Sequence, residues 1–589
     1  MIQINKRNIG VCILLSIITF GIYGIYWLYL LVKNTRSIQK NTTSCAGEML
    51  CLIFVPFYSL YWWYTRGEKV KQEFSQHNYA STGNGIVYLI LEILGLSIVS
   101  MAIMQSDFNS LKSETHSEQQ SDFNSLKPET HSEQQNDFNS LESETYSEQR
   151  SAISFLHGVH TPHRKNTANK PSRRLTEVKT VTLPMQMHIG APATPVVKVG
   201  DTVKVGTLVA DGTGALSSPI YSSVSGKVTK ITDVLTSNGK TCPAIVIESD
   251  GEMTPDENIT VPEVNSRRDL IEAIRKSGVV GLGGAGFPTY VKWNVEPERI
   301  KEFIINGAEC EPYITSDSLT MTERADDMEY AILALKRFFD LKHIIIGIES
   351  NKKKAIEAMR EMAARIEGCE VKVLPQVYPQ GGEKVLVYHT TGKKIGVGML
   401  PIHVGCIVCN CTTVAAIGSY LKTGMPLVEK CVTVDGGAVA EPNNVIAPIG
   451  TPLSVLFDFC GGFKAEPKKI LYGGPMMGVA VPNTDVPVLK SSNAIIALTA
   501  KEAKLPKTTA CIRCGACTNA CPFGLNPAEI LLAYKKNDTE ALNRLSVDTC
   551  MLCGCCSFIC PANRPLVQTN SLSKQLLRDE RAKEEKKNG

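Results

Sequence analysis

The chain has 589 residues, a net charge of +4 and 20% charged residues. That is room for three or four domains, and without a basic stripe interleaved with aromatics it excludes a nucleic-acid binder. The 20 cysteines gather partly in two runs and otherwise scatter through apolar segments, which excludes a secreted disulfide framework and fits a reducing compartment.

The first hundred residues differ in kind from the rest. Ile9 to Val32 is apolar and long enough to cross a bilayer, with Tyr23, Tyr26, Trp27 and Tyr29 near its end, where an aromatic belt would sit. Met49 to Tyr64 is shorter and broken by Pro56, and Ile86 to Met104 carries Glu92. The expectation is a membrane domain over 1–104 with two or three transmembrane segments. Its GIYGIYWLY phrase, Gly21 to Tyr29, resembles a family of small bacterial membrane proteins of unknown function. A fifteen-residue repeat then begins at Ser106, Ser121 and Asn136. Each copy has one Phe and one Leu among polar residues, too little apolar surface to offset ordering, so 105–150 reads as a flexible tether.

From Val178 to Ile247 apolar and polar residues alternate between Gly and Pro turns, predicting a small strand sandwich within 151–250. It looks like a biotinyl or lipoyl carrier domain, but the turn GALSSPIYS lacks the lysine to be modified. Next, GVVGLGGAGFPTYVKW places Gly281, Gly283 and Gly286 in G-x-G-x-x-G spacing. The preceding RRDLIEAIRKSG has helical periodicity, so this is not the strand-first dinucleotide turn. Glycines this dense still let backbone N–H groups approach a phosphate, and Lys292 supplies a positive charge. FIINGAECEPYITSD sets Asn306, Glu309 and Glu311 after an apolar strand; YPQGGEKVLVY, from Tyr378, follows another; VGCIVCNCTTVAAI surrounds Asn410. Cys431 to Phe463 alternates and then turns helical, and LYGGPMMGVAV follows at Leu471.

Near the C-terminus stand Cys511, Cys514, Cys517 and Cys521, then Cys550, Cys553, Cys556 and Cys560, each run ending Cys-Pro. The spacing C-x-x-C-x-x-C-x-x-x-C-P, twice, is that of a two-cluster ferredoxin module. There, each fourth cysteine serves the other cluster, so Cys511, Cys514, Cys517 and Cys560 form one set. Cys550, Cys553, Cys556 and Cys521 form the second. Zinc is the competing chemistry for thiolate sets. Cys555 reads as a bystander, and 571–589 as a charged disordered tail.

In order along the chain, the glycine loop and the Asn306, Tyr378 and Asn410 segments resemble the flavin- and NADH-binding subunit of respiratory complex I. Phe155 to Cys560 as a whole resembles the RnfC family, a component of the Rnf (Rsx) membrane electron-transport complex. The resemblance implies a multidomain α/β and α+β chain: a barrel-sandwich hybrid domain (151–250), a flavin domain (251–425), an SLBB-like β-grasp domain (426–500) and a two-cluster ferredoxin-like helical domain (501–570). It implies FMN held by Gly281, Gly283, Gly284, Gly286 and Lys292, with Asn306, Asn410 and Thr413 completing the pocket. NAD(H) would lie near Glu309, Glu383 and Tyr378. Complex I has an acidic residue where Ala308 stands and another where Gly382 stands. No acid–base pair is required, because hydride and electron transfer need positioning above all. The implied function is an oxidoreductase and translocase subunit passing electrons between NAD(H) and ferredoxin through FMN and two 4Fe-4S clusters, coupled to ion movement. The implied partners are the other members of the complex, a ferredoxin or ferredoxin-like subunit and the membrane, with soluble domains on the cytoplasmic side of the bacterial inner membrane. Two other readings fit the same motifs: a cobalamin reductase-like flavin and iron–sulfur enzyme, and a non-catalytic membrane-anchored electron conduit.

Overall fold

A computed structural model describes residues 27–32, 58–76, 85–93, 97–110 and 157–588, apart from loop positions 213, 215, 237, 238 and 240. Two compact units divide at Glu133. In the first, α1 (Tyr58–Gln76), α2 (Gly85–Ile93) and α3 (Ser97–Ser110) follow in order. Trp27, Trp62, Trp63, Tyr88 and Met104 form its buried cluster. Among the described residues no helix is long and apolar enough to cross a membrane. The Ile86 to Met104 stretch is described as two helices, α2 and α3, and most of the two earlier apolar stretches lies outside the described residues, as does nearly all of the repeat segment.

In the second unit, alternation gives strands as expected: β1 (Arg173–Arg174), β2 (Thr180–Pro184), β3 (Thr194–Pro195), β4 (Thr202–Val203), β5 (Leu208–Asp211), β6 (Ile220–Tyr221), β7 (Gly226–Leu235) and β8 (Thr241–Ser249). They form sheets β2-β8-β7-β4 and β3-β5-β6, while β1 leaves to pair with a later domain.

The predicted helix before the glycine loop is α4 (Arg267–Lys276), capped by Ser266, whose side chain accepts from Asp269 N, and burying Leu270, Ala273 and Ile274. Gly278 follows at φ +69°, the left-handed stop a helix end favours. After α5 (Thr289–Trp293) come β9 (Glu302–Gly307), α6 (Ser316–Glu323), α7 (Ala325–Phe339), β10 (Ile344–Glu349), α8 (Lys353–Ala363), β11 (Cys369–Leu374), α9 (Glu383–Thr391), β12 (Cys406–Asn410) and α10 (Cys411–Thr423). The four strands are parallel in the order β11-β10-β9-β12. Strand order therefore reverses between β9 and β12. In open α/β sheets ligands bind at the carboxyl ends of strands at such a switch point.

Next come β13 (Glu429–Asp435), β14 (Asn443–Pro448), α11 (Leu453–Phe459), β15 (Lys469–Tyr472), β16 (Val479–Ala480), β17 (Ala494–Leu498) and α12 (Ala500–Ala503). Their sheet runs β1-β14-β13-β17-β15-β16. Its inner face shares one apolar core with the sandwich, joining Val181, Leu183 and Ile247 to Val432, Val445 and Phe457. Lys490, 1% exposed, binds three domains together: its ammonium donates to Pro219 O at 2.6 Å, Gly278 O at 2.7 Å and Ser218 Oγ at 3.3 Å. Burial pulls its pKa down to about 7.

The C-terminal domain contains α13 (Ala516–Asn519), α14 (Pro527–Lys535), α15 (Thr539–Arg544), α16 (Cys555–Phe558) and α17 (Leu566–Asn588). The expected disordered tail is thereby corrected: 571–588 is the continuation of α17. Leu566, Asn570, Ser573 and Leu577 recur at helical spacing and are at most 2% exposed, a pattern hidden because two of the four buried positions are polar and a charged run follows from Arg578.

Candidate functional site

At the switch point the two asparagines singled out in the sequence lie side by side, Asn410 on β12 in register with Asn306 on β9. Asn410 caps α10, its Oδ1 accepting from Thr412 N at 3.0 Å and Thr413 N at 3.3 Å, while its Nδ2 donates to Asp317 at 2.7 Å. Asn306 Nδ2 donates to Gly381 O at 2.9 Å. The glycine loop arches over this end of the sheet. Gly281 N donates to Phe287 O at 2.8 Å to close it, and Leu282 N donates to the buried Thr413 hydroxyl at 3.0 Å. Two groups absent from the sequence reading clamp it: buried Lys430 donates to Leu282 O at 3.0 Å, and Ile189 N donates to Gly286 O at 3.0 Å. A Cβ at Gly283 would stand 2.4 Å from Asn410 Nδ2, so only glycine fits there.

The loop fits a phosphate-bearing cofactor. Gly283, Gly284 and Ala285 are exposed, and a Cβ at Gly284 would meet nothing within 4 Å, leaving backbone free to approach a ligand. Lys292 pairs with Glu383 at 3.0 Å and also donates to Val408 O at 2.9 Å. Burial works against its charge, but the Glu383 carboxylate together with Cys409 outweighs that, and its pKa is raised.

Two residues expected beside NAD(H) are engaged elsewhere. Glu309 is 6% exposed; its carboxylate accepts from Asp317 N at 2.7 Å and Ser318 Oγ at 3.0 Å, binding the start of α6. Its carbonyl accepts from two lysines, half-buried Lys165 and buried Lys352, each at 2.9 Å. Burial raises the Glu309 pKa, with Lys165 opposing. Tyr378, 2% exposed, turns its hydroxyl to Cys553 O at 2.7 Å. The lysines carried no sequence signal, because they are isolated residues that only the folded chain brings to this loop.

Tyr378 marks a junction between the flavin-type domain and the second cysteine run. The Cys555 thiol donates to Tyr378 O at 3.7 Å. Gly382 lies under Met551: a Cβ there would be 2.3 Å from the methionine methyl. Glu311, singled out but given no role, accepts from Met476 N at 3.1 Å and Met477 N at 2.8 Å, holding the GGPMM turn against the same junction. Burial pushes its carboxyl up to about 7.

The two cysteine runs repeat one backbone conformation. Arg513 and Leu552 have φ of +54° and +60°, Gly515 and Gly554 +74° and +84°, and Gly524 and Asn563 +65° and +50°. Cys521, from the first run, lies within electrostatic reach of Cys550 and Cys553 and of Cys556. Cys517 and Cys560 both pack against the cluster of Leu531, Cys556 and Leu566. Among the described residues no three ligand side chains converge as they would on a single ion. Asn570 Nδ2 reaches Cys550 Sγ at 3.4 Å and Lys574 reaches Cys550 O at 2.7 Å, so α17 covers the second run. A separate cavity of about 350 Å³, lined by Arg174, Arg324 and Met425, contains none of these residues.

A glycine-loop flavin site docked directly on a dicluster domain defines a flavin and iron–sulfur electron-transfer protein. Family models match in the same order: a domain of unknown function (DUF4234) at 7–55, the RnfC barrel sandwich hybrid domain at 153–252, the Nuo51 FMN-binding domain at 274–419, an SLBB domain at 431–480 and a 4Fe-4S dicluster domain at 507–564. The chain is 42% identical over 391 residues, 65% of its length and 85% of the relative, to the RnfC subunit of the proton-translocating ferredoxin:NAD(+) oxidoreductase complex of Clostridium ljungdahlii. It is 39% identical to the RnfC subunit of the Na(+)-translocating complex of Acetobacterium woodii, covering 65% of this chain and 88% of that one. With the corresponding subunit of the ion-translocating oxidoreductase complex of Rhodobacter capsulatus it shares 38% identity over 73% of its own length and 85% of the relative. The chain belongs to the RnfC family, whose members are subunits of ion-translocating ferredoxin:NAD(+) oxidoreductase complexes.

Proposed function

We propose that this chain is the subunit of a membrane-bound Rnf-type complex at which electrons pass between NAD(H) and the iron–sulfur side, other subunits coupling the transfer to ion movement. The observation that carries the reading is the junction just described: the loop after β11, which follows the flavin-type sheet, is bonded through Tyr378 to the second cysteine run. FMN, when bound, would accept the two electrons of a hydride and release them singly, and each 4Fe-4S cluster would carry one at a time. Gly281, Gly283, Gly284 and Gly286 offer backbone to the FMN phosphate, Lys292 balances its charge, and Asn306 and Asn410 present amides at the strand ends. Thr413 holds the loop in place. Of the residues expected near NAD(H), Glu383 retains a half-exposed carboxylate, 41% accessible, suited to ribose hydroxyls. Glu309 and Tyr378 act as supports for the loop and the domain junction. Cys511, Cys514, Cys517 and Cys560 hold one cluster, and Cys550, Cys553, Cys556 and Cys521 the other. The apolar N-terminal segments anchor the chain in the cell membrane, with the soluble domains on the cytoplasmic side.

The space filled by Met551 over Gly382 favours one other reading, a conduit that does not use NADH. Anaerobic absorbance and EPR of the full chain reconstituted with iron, sulfide and FMN separate the two. NADH should bleach the flavin and bring up reduced-cluster signals; clusters that respond to dithionite while NADH does nothing would establish the conduit.

A further inference from the structure

The two cysteine sets differ in exposure. Cys521, Cys550, Cys553 and Cys556 are buried, whereas Cys511 and Cys514 are exposed. Every residue from Lys504 to Gly515 is exposed, yet the stretch is fastened down. Thr509 N donates to Ala562 O at 3.0 Å, Asn563 Nδ2 to Lys507 O at 3.3 Å and Arg564 to Thr509 O at 2.9 Å. On this fixed surface Leu505 is 79% and Ile512 69% exposed. From Ala503 to Ala528 the sequence contains Lys504, Lys507 and Arg513 and no Asp or Glu. The neighbouring Glu502 is turned away, bonded to Arg164, Tyr313 and Thr499.

An apolar centre with a charged rim of one sign is the anatomy of a transient protein interface, with the rim steering encounter. Here the cations flank the exposed Cys511 and Cys514 in sequence, Lys504 and Lys507 before them and Arg513 between them. A lipid surface would match the charge but would bury the exposed thiolates against a medium that neither gives nor takes electrons. We infer that Lys504 to Gly515 is the docking face for an acidic iron–sulfur protein, with Leu505 and Ile512 at its centre and Lys504, Lys507 and Arg513 around it. The inference rests on the electron-transfer function proposed above and adds where the external partner binds.

The test is binding of a small acidic two-cluster ferredoxin to the full reconstituted chain, by surface plasmon resonance at low and high salt and without NADH. Wild type should bind, with affinity falling as salt rises. Lys504→Glu/Lys507→Glu should slow association by roughly tenfold or more at low salt, and Leu505→Ser should speed dissociation. Lys353→Glu/Lys354→Glu, an equal charge change on α8, should leave binding unchanged. Cluster EPR of each variant guards against damage to the site. Equal losses from both double variants, or none from the first, would overturn the inference. So would a variant that loses binding to phosphatidylglycerol vesicles while keeping the ferredoxin. NADH bleaching on the same preparations reads the proposed function separately: a chain that docks at this face without bleaching retains this inference and loses the NADH reading.

Discussion

Gly382 takes the place of a carboxylate in the complex I pattern, and the structure gives the reason in packing terms: the Met551 methyl occupies the space a side chain would need. Gly382→Glu should therefore loosen the docked cysteine run, costing about 1–3 kcal/mol as overpacking does. Faster hydrogen exchange over 550–556 would register it, and Met551→Ala on the same background should restore protection; unchanged exchange would refute the packing account. Lys490 gives a pH prediction. Its folded pKa is drawn from 10.5 to about 7, so between those values the unfolded chain holds the extra proton. Stability should accordingly rise with pH across that window, by up to about 1.4 kcal/mol per unit. The melting temperature of wild type, compared with Lys490→Met, should climb from pH 7.5 to 9.5; parallel curves would refute it. At this scale the sequence was readable in strand position, as at Asn306 and Asn410, which stand in register at the ends of neighbouring strands. It was not readable at Glu309 and Tyr378, whose partners Lys165, Lys352 and Cys553 are remote in sequence.

Among elements, periodicity served well for α4 and for the sandwich strands, whose burial follows their pattern. It served poorly for α17, whose buried face includes the polar Thr569, Asn570 and Ser573 and whose later half is a charged run. Leu577 packs with Cys521, Cys550, Ile530 and Leu542. Leu577→Ala should destabilise the cysteine domain by about 2–4 kcal/mol through the cavity it leaves, whereas exposed Lys583 should tolerate alanine. Chemical denaturation followed by cluster absorbance compares them; equal midpoints for the two variants would deny α17 a structural role. The leader from His157 to Arg174 is a second case. Its histidines and prolines announce no element, yet Val159 bridges to Tyr378, Lys165 supports the Glu309 loop and β1 adds to the sheet of β14. Such contacts depend on the path of the chain across finished domains, which local pattern cannot encode.

Over the whole molecule, domain order was the most legible property, because each domain carries its own motif and the motifs come in sequence. Less legible was how closely the domains are joined: one apolar core serves both sandwich and β-grasp sheet, and Lys490 ties those two to the flavin-type domain. The exchange of Cys521 into the company of the second run bears on how the protein is made. A ribosome delivers the first cysteine run well before the second, but on the ligand sets proposed above that run lends its last thiolate to a partner not yet synthesised. Neither half is a finished receptacle while only the first run has emerged. With the ligand sets proposed above, iron and sulfide delivered to the nascent chain would find no complete set until Cys556 has emerged, and the other set would lack its last ligand until Cys560 follows, so neither site can be loaded before the second run is made.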